Sequence, residues 1–212
     1  MTLNNIEEIA AFIVADGKGI LAADESNPTC GKRFDSIGVE STEKNRRNYR
    51  EMLFRSKGMK GNIGGVILFD ETIRQSAADG TLLRDLILDQ GALPGIKVDK
   101  GLQPIDECPG ETITVGLDGL DERLKEYASM GAKFTKWRAV IKIGDGIPSD
   151  KCINANMQAL ADYAKCAQDN GMVPIVEPEV LMDGEHSIDD CHAATDRSLK
   201  SLFAHLENNG VN

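Results

Sequence analysis

The sequence predicts an α/β fold, and three observations support this prediction. Longer amphipathic stretches separate short apolar runs that start roughly 30 to 45 residues apart, as in a parallel sheet of βα units. Three of these stretches end at Gly131, Gly171 or Gly210, and glycine suits the left-handed conformation that follows a helix. After the first two glycines a strand is predicted within a few residues. The five apolar runs are Gly19–Ala23, Gly65–Phe69, Gly95–Asp99, Phe134–Ile143 and Val173–Glu179.

The number and length of the βα units indicate the type of fold. A sixth strand is due after Gly210, and eight units of about 40 residues give roughly 320 residues, which fits a (β/α)8 TIM barrel. We therefore predict that residues 1–212 form a single domain, an incomplete TIM barrel with about the first five βα units. An open doubly wound sheet is the alternative, but no G-x-G-x-x-G motif follows a strand, so a dinucleotide-binding fold is unsupported. An open arc of strands would expose apolar edges, so we expect poor solubility or association of the isolated chain.

Capping residues and helical spacing predict the helices. Thr42 is the expected N-cap of a helix over Glu43–Phe54, where Tyr49, Met52 and Leu53 have helical spacing. Further helices are predicted over Leu120–Met130, over Met157–Asn170, and from a cap formed by Ser187 and Asp190 to about Asn208. The expected apolar face of the second helix consists of Leu120, Leu124, Tyr127 and Ala128.

The composition excludes several classes of partner. The net charge of −10 argues against nucleic acid and against an anionic membrane surface. No apolar run approaches the roughly 18 residues that a membrane span needs. The first fifteen residues contain acids but no Lys or Arg, so no secretory or transit signal is recognised, and we expect a cytoplasmic location. A plastid is the alternative if a transit peptide has been removed.

Metal chemistry is poorly supported. The five cysteines contain no Cys-x-x-Cys pair, and we expect them to be reduced thiols. The three histidines, His186, His192 and His205, form neither H-x-H nor H-E-x-x-H. We therefore expect no metal site and no cofactor.

Charged residues lie at or near the carboxyl ends of several predicted strands. Residues two apart on a strand share a face. Lys97 and Asp99 are therefore expected to point the same way, as are Lys136 and Arg138, and Glu177 and Glu179. Asp24 directly follows the first strand. If these faces line a barrel, acids and bases from four strands converge at its carboxyl-terminal mouth, where barrel enzymes place their chemistry. The structural alternative is a buried salt-bridge network, although burying this many charges for structure alone is costly.

The set of residue types suits enamine or carbanion chemistry. Such reactions need an amine nucleophile, a carboxylate that moves protons, and cations for anionic substrate groups. A lysine close to another cation has a lowered amine pKa and attacks a carbonyl more readily. Arginine offers a planar fork for phosphate, whereas lysine acts as a point charge.

Ordered sequence blocks resemble class I fructose-bisphosphate aldolase over nearly the whole chain. The first are GILAADES (Gly19–Ser26), GKR (Gly31–Arg33), SIG (Ser36–Gly38), TEKNRR (Thr42–Arg47) and GGVILF (Gly64–Phe69). The later ones are GIKVDKG (Gly95–Gly101), GLDGL (Gly116–Leu120), KWR (Lys136–Arg138) and VPIVEPE (Val173–Glu179).

The resemblance implies a catalytic role for three residues. Asp24 resembles the aspartate that handles the proton of the substrate C4 hydroxyl during carbon–carbon cleavage. Lys136 resembles the lysine that supports carbinolamine formation. Glu177 resembles the glutamate that acts as acid and base when the Schiff base forms.

Other residues resemble substrate-binding or supporting groups of the family. Lys97 and Arg138 resemble basic residues near the substrate phosphates and the catalytic carboxylates, and Glu179 resembles a supporting carboxylate. Arg33 resembles a phosphate-contacting arginine. The remaining expected substrate-binding residues are Arg46 and Ser26.

The resemblance also implies reversible cleavage of fructose 1,6-bisphosphate into two triose phosphates, without a metal, in a homotetramer. The lysine that forms the imine is expected in the strand after Gly210, so we expect the 212 residues alone to be inactive. Sedoheptulose 1,7-bisphosphate carries the same terminal phosphates and stays open as a substrate. Two alternatives remain: another Schiff-base barrel enzyme such as a transaldolase, and a non-catalytic chain that binds phosphorylated ligands or associates with full-length subunits.

The intact mass of the native protein tests the eight-unit prediction. The 212 residues have a mass of 23.0 kDa, and a complete barrel of this type should have a mass of about 35–40 kDa. Mass spectrometry of the protein from its native source should therefore give the larger value. A native mass of 23.0 kDa would favour the non-catalytic alternative.

Overall fold

Strands and helices alternate along the chain, as the sequence predicts. A computed structural model describes Leu3 and residues 5–212. The strands are β1 (Gly19–Ala23), β2 (Ile63–Leu68), β3 (Leu93–Lys97), β4 (Leu102–Pro104), β5 (Thr112–Thr114), β6 (Phe134–Ile141) and β7 (Val173–Val180). The helices are α1 (Ile6–Ile13), α2 (Asn27–Asp35), α3 (Glu43–Phe54), α4 (Asp70–Ile73), α5 (Leu83–Asp89), α6 (Leu120–Ser129), α7 (Asp150–Asp169) and α8 (Ile188–Asn208). Within these residues, no helix combines the length and the apolar character needed to cross a membrane.

Five strands form one sheet in the order β1-β2-β3-β6-β7, and β4 pairs with β5 in a separate ribbon. The β1–β2 and β2–β3 pairs are parallel, with Ala23 opposite Leu68 and Leu68 opposite Ile96. The carboxyl ends of these three strands therefore lie at one edge of the sheet, so residues that follow them are brought together. The α/β class and all five predicted sheet strands are confirmed. The prediction of a single barrel domain stays a prediction.

The chain divides into two compact units, and the first comprises the residues up to Lys97 with Glu126–Thr135 and Gly171–Val173. At its core the ring of Phe134 packs against two glycines on neighbouring strands. A Cβ added to Gly65 would lie 2.8 Å from the ring, and one added to Gly95 would lie 2.4 Å from it. Glycine is therefore required here because the aromatic ring occupies the space of a side chain.

The second unit comprises Val98–Lys125, Lys136–Asn170 and Pro174–Asn212. Trp137 of β6 is fully buried and stacks on Tyr163 of α7 with ring centroids 5.4 Å apart. The Tyr163 hydroxyl donates to the backbone oxygen of Ile175 in β7, 3.2 Å away. Helix α7 is thus connected to β6 and β7, and α8 packs along α7.

The end of β3 and the segment after it differ from the prediction. β3 ends at Lys97, so Asp99 lies two residues beyond the strand. The physical reason is the ribbon of β4 and β5, which the sequence analysis missed. The amide of Lys100 donates to the backbone oxygen of Val115, and the amide of Val115 donates to that of Gly101. These bonds draw the chain away from the sheet.

The caps of the helices are confirmed, as is the burial of Leu120, Leu124 and Tyr127 on α6, but two residues of the predicted apolar faces are exposed. Thr42 caps α3, and Ser187 and Asp190 form a capping box on α8. Met52 of α3 is 62% exposed, and Ala128 of α6 is exposed. The buried residues of α3 are instead Arg46, Arg50 and Phe54. Helix α7 begins at Asp150 rather than Met157, because Ser149 caps it.

The contact between Phe134 and the glycines generates a stability prediction. Replacing Gly95 with Ala should lower the free energy of unfolding by about 2 kcal/mol, because the methyl group overpacks a filled core. Gly19→Ala is the matched control, since Gly19 also lies in a sheet strand and an added Cβ would meet no atom within 4 Å. Urea unfolding followed by circular dichroism measures both variants. Equal stability of the two would contradict the close packing.

Candidate active site

Charged side chains gather where β1 ends, within the first unit. We call this group the β1 cluster; it consists of Asp24, Glu25, Ser26, Arg33, Arg46, Arg50 and Glu71. Asp24 directly follows β1 and is 9% exposed. Glu71 lies in α4, close behind the end of β2. The parallel register of β1 and β2 brings these acidic residues to the same edge of the sheet.

Arginines surround the two glutamates of the β1 cluster. Arg46 donates to both carboxylate oxygens of Glu71, at 2.8 Å from Nε and 2.6 Å from Nη2. Arg33 forms an ion pair with Glu25. Arg50 reaches both carboxylates, with Nη2 3.7 Å from Glu25 Oε2 and Nη1 3.9 Å from Glu71 Oε1. Each carboxylate is therefore shared between two guanidinium groups.

The environment of the β1 cluster changes the proton affinity of its members. The hydrogen bond from Arg46 lowers the pKa of Glu71 below its usual range, and the charges of Arg46 and Arg50 act in the same direction. The phenol of Tyr49 donates to Glu25 Oε1 at 3.2 Å. Burial raises the pKa of Tyr49, and the charge of Glu25 raises it further. Glu71 is thus held ionised and Tyr49 is held neutral.

Two of the expected substrate-binding residues in this cluster also have structural contacts. Ser26 is the N-cap of α2 and accepts a hydrogen bond from the amide of Thr29, 3.4 Å away. Arg46 is only 8% exposed and also donates to the backbone oxygen of Ser41 at 2.7 Å. Arg33 has a side chain that is 58% exposed, so its guanidinium is open to solvent.

Two ion pairs connect β6 and β7 in the second unit. We call this group the β6–β7 cluster; it consists of Lys136, Arg138, Glu177 and Glu179. Lys136 Nζ lies 2.9 Å from Glu177 Oε2, and Arg138 forms an ion pair with Glu179. The cations are two residues apart on one strand and the acids two apart on the other, as the alternation predicts. Trp137, between the two cations, is buried in the core of this unit.

In the pair of Lys136 and Glu177, the lysine is largely buried and the glutamate is partly accessible to solvent. The Lys136 side chain is 12% exposed, whereas that of Glu177 is 39% exposed. A carboxylate in contact with an ammonium group can accept or return a proton at a bound reactant. Lys97, the remaining predicted residue, is the half-buried last residue of β3.

The sequence analysis missed Glu25, Arg50 and Glu71. Arg50 was missed because arginines four residues apart on a helix usually indicate a solvated face. A signal for Glu71 was present, since it follows the end of β2 as Asp24 follows the end of β1. Glu25 is adjacent to Asp24, and the sequence alone does not show that both carboxylates belong to the cluster.

Comparisons with known proteins identify the family of the chain. The family described as fructose-bisphosphate aldolase class-I matches residues 5–212. A protein of Xanthomonas campestris pv. campestris named "Probable fructose-bisphosphate aldolase class 1" is 53% identical over 100% of this chain and 63% of its own length. The cytosolic fructose-bisphosphate aldolase 4 of Arabidopsis thaliana is 52% identical over 95% of this chain and 51% of its own length.

A solved structure has the same fold. The fructose-bisphosphate aldolase of Plasmodium falciparum, in complex with TRAP and a small-molecule inhibitor, matches with a TM-score of 0.93 and 45% identity. The match covers 100% of this chain and 65% of that one. The chain belongs to the class I fructose-bisphosphate aldolase family, and the Xanthomonas relative shows that it spans 63% of the length of such a protein.

The paired charges of the β1 cluster generate a prediction about stability and pH. Because the pKa of Glu71 is lowered in the folded state, its ionised form stabilises the fold above the usual carboxyl pKa of 4.5, and this contribution is lost as the pH falls through the lowered value. Glu71→Gln should therefore lower the free energy of unfolding by about 3 kcal/mol near neutral pH, because it leaves Arg46 and Arg50 short of a counter-ion.

The pH dependence and a control separate this effect from loss of packing. The difference between wild type and Glu71→Gln, measured by urea unfolding from pH 7 to pH 3, should shrink towards acid. Glu126→Gln is the matched control, because Glu126 pairs with Arg74 at 2.6 Å on the exposed surface, where ion pairs contribute little. The prediction would be contradicted if Glu71→Gln lowered the free energy of unfolding no more than the control does, or by an amount that does not change with pH.

Proposed function

We propose that this chain supplies part of the active site of a class I fructose-bisphosphate aldolase. The reaction is the reversible aldol cleavage of fructose 1,6-bisphosphate into dihydroxyacetone phosphate and glyceraldehyde 3-phosphate through a lysine Schiff base. Family membership supports the reaction class. The observation that carries the proposal is the 2.9 Å pair of Lys136 and Glu177 on neighbouring strands, because Schiff-base chemistry needs a carboxylate that exchanges protons beside a cation.

The proposed roles follow the reaction in order. Glu177 gives and takes the protons needed to form and dehydrate the carbinolamine, and Lys136 supplies the positive charge beside it. Asp24 then accepts the proton of the C4 hydroxyl while the C3–C4 bond breaks. The bonding electrons pass to the iminium nitrogen and leave an enamine, and the C4 fragment departs as an aldehyde.

The other proposed residues hold the substrate. Arg33 and Lys97 provide positive charge for the phosphate groups, and the exposure of Arg33 supports its role. Arg138 and Glu179 form the ion pair adjacent to Lys136 and Glu177, and we propose that they keep the charges of that pair balanced. Arg46 and Ser26 are proposed to bind substrate beside the loop after β1, where Arg46 also donates to Glu71 and Ser26 accepts from the amide of Thr29.

The nucleophile is proposed to lie outside these 212 residues. The family resemblance assigns the imine-forming lysine to the next strand, so the isolated chain should be inactive. The whole protein is proposed to be a homotetramer without a metal cofactor, and its substrates to be phosphorylated ketoses and triose phosphates. Relatives named as cytosolic and as chloroplastic support a cytoplasmic location and keep a plastid location open.

Site-directed variants of the native protein test the assignment. Asp24→Asn and Glu177→Gln should each lower kcat for cleavage by about 10²–10⁴-fold, because each removes a group that transfers a proton. A coupled assay of triose phosphate release measures this. Asp16→Asn is the control, since Asp16 is an exposed aspartate outside both clusters. Activity of Asp24→Asn equal to that of the control would refute the role of Asp24.

Reductive trapping tests whether a Schiff base forms and whether its lysine lies within the 212 residues. Dihydroxyacetone phosphate with borohydride should add one trapped ligand to a lysine of the native protein, visible by intact mass spectrometry. The isolated 212-residue chain should acquire no adduct. A trapped adduct on Lys97 or Lys136 of the isolated chain would show that the nucleophile is among these residues and would overturn its proposed location.

A further inference from the structure

The most enclosed charged side chain of the β1 cluster is that of Arg50. Its side chain is completely buried, and it lies on α3 between Arg46 and Phe54. Neither the family resemblance nor the proposed reaction gives it a part. A fully buried guanidinium group is costly unless its donors and its charge are satisfied, so the groups that it contacts indicate its role.

The guanidinium of Arg50 holds the backbone on both sides of the proposed catalytic aspartate. Nε donates to the backbone oxygen of Ala23 at 3.2 Å, and Nη2 donates to that of Glu25 at 2.6 Å. These carbonyls belong to the peptide groups just before Asp24 and just after Glu25. A rigid planar fork that binds both carbonyls fixes the orientation of the backbone that carries Asp24.

The same guanidinium is itself held in place. The carboxylates of Glu25 and Glu71 lie 3.7 Å and 3.9 Å from its terminal nitrogens. Arg46 orients the Glu71 carboxylate through two hydrogen bonds. The carboxylates thus balance the charge of Arg50, while its hydrogen bonds go to the backbone oxygens of Ala23 and Glu25 and, from Nη2, to Cys30 Sγ at 3.6 Å.

We propose that Arg50 is a positioning residue that sets the orientation of Asp24 through the backbone carbonyls of Ala23 and Glu25. The inference rests on the proposed function, because its consequence is the proton transfer assigned to Asp24. A group misplaced by about 1 Å can lose roughly 10²-fold in rate, since general base catalysis requires hydrogen-bond geometry in the transition state. Schiff-base formation, assigned to Glu177 and Lys136, does not depend on this geometry.

Arg50→Lys in the native protein tests the proposal, because lysine keeps the charge but lacks the fork. We expect kcat for cleavage to fall by roughly 10²-fold, with a small change in KM. Borohydride trapping with dihydroxyacetone phosphate should continue at the wild-type rate. Phe54→Leu is the matched control, because it alters a fully buried residue on the same face of α3 without touching the β1 end.

The outcomes separate the inference from the proposed function. Loss of cleavage with retained trapping in Arg50→Lys, absent from Phe54→Leu, supports positioning. An Arg50→Lys protein whose kcat equals that of Phe54→Leu overturns it and leaves the aldolase assignment intact. A wild-type protein that neither cleaves nor is trapped refutes the proposed function, and the inference fails with it. If Arg50→Lys is unfolded in buffer, all three proteins are compared in trimethylamine N-oxide, which favours the compact state.

Discussion

The buried guanidinium of Arg50 is the interaction on which the β1 end of the structure depends. It connects helix α3 to the strand through two carbonyl oxygens and balances two carboxylates. Removing a charge from water is unfavourable, and several hydrogen bonds and counter-ions must offset that cost. The need to satisfy this one group explains why Glu25 and Glu71 point inwards, and why two arginines occupy a helix face that normally packs with apolar side chains.

The ion pairs of the β6–β7 cluster are more exposed to solvent than Arg50 is. The two pairs lie on neighbouring strands, and three of the four side chains are about 40% exposed. Water screens such pairs, so their contribution to stability is small. In the proposed function their role is chemical, because a partly accessible carboxylate beside an ammonium group would exchange a proton with a bound reactant.

Packing against glycine gives the sheet its close fit in the first unit. Phe134 occupies the space over Gly65 and Gly95, so β2, β3 and the start of β6 have little freedom to shift relative to that ring. In the second unit, the stacked rings of Trp137 and Tyr163 hold β6 against α7. Both aromatic anchors lie on β6, and Trp137 separates Lys136 from Arg138. The strand that carries two proposed site residues is therefore anchored in the packed interior by two aromatic side chains.

The sequence alone determined the five strands of the sheet, the helices α3, α6, α7 and α8, the caps at Thr42 and Ser187, and the charges near the strand ends. These features depend on neighbours within a few residues, so local patterns reveal them. It did not predict the end of β3 at Lys97, the ribbon of β4 and β5, or the burial of Arg50. Those features depend on contacts between residues far apart in the chain, such as Arg50 with Ala23 or Lys100 with Val115. Only the tertiary structure decided which charged side chains are buried, because a charge is buried only where distant residues supply its partners.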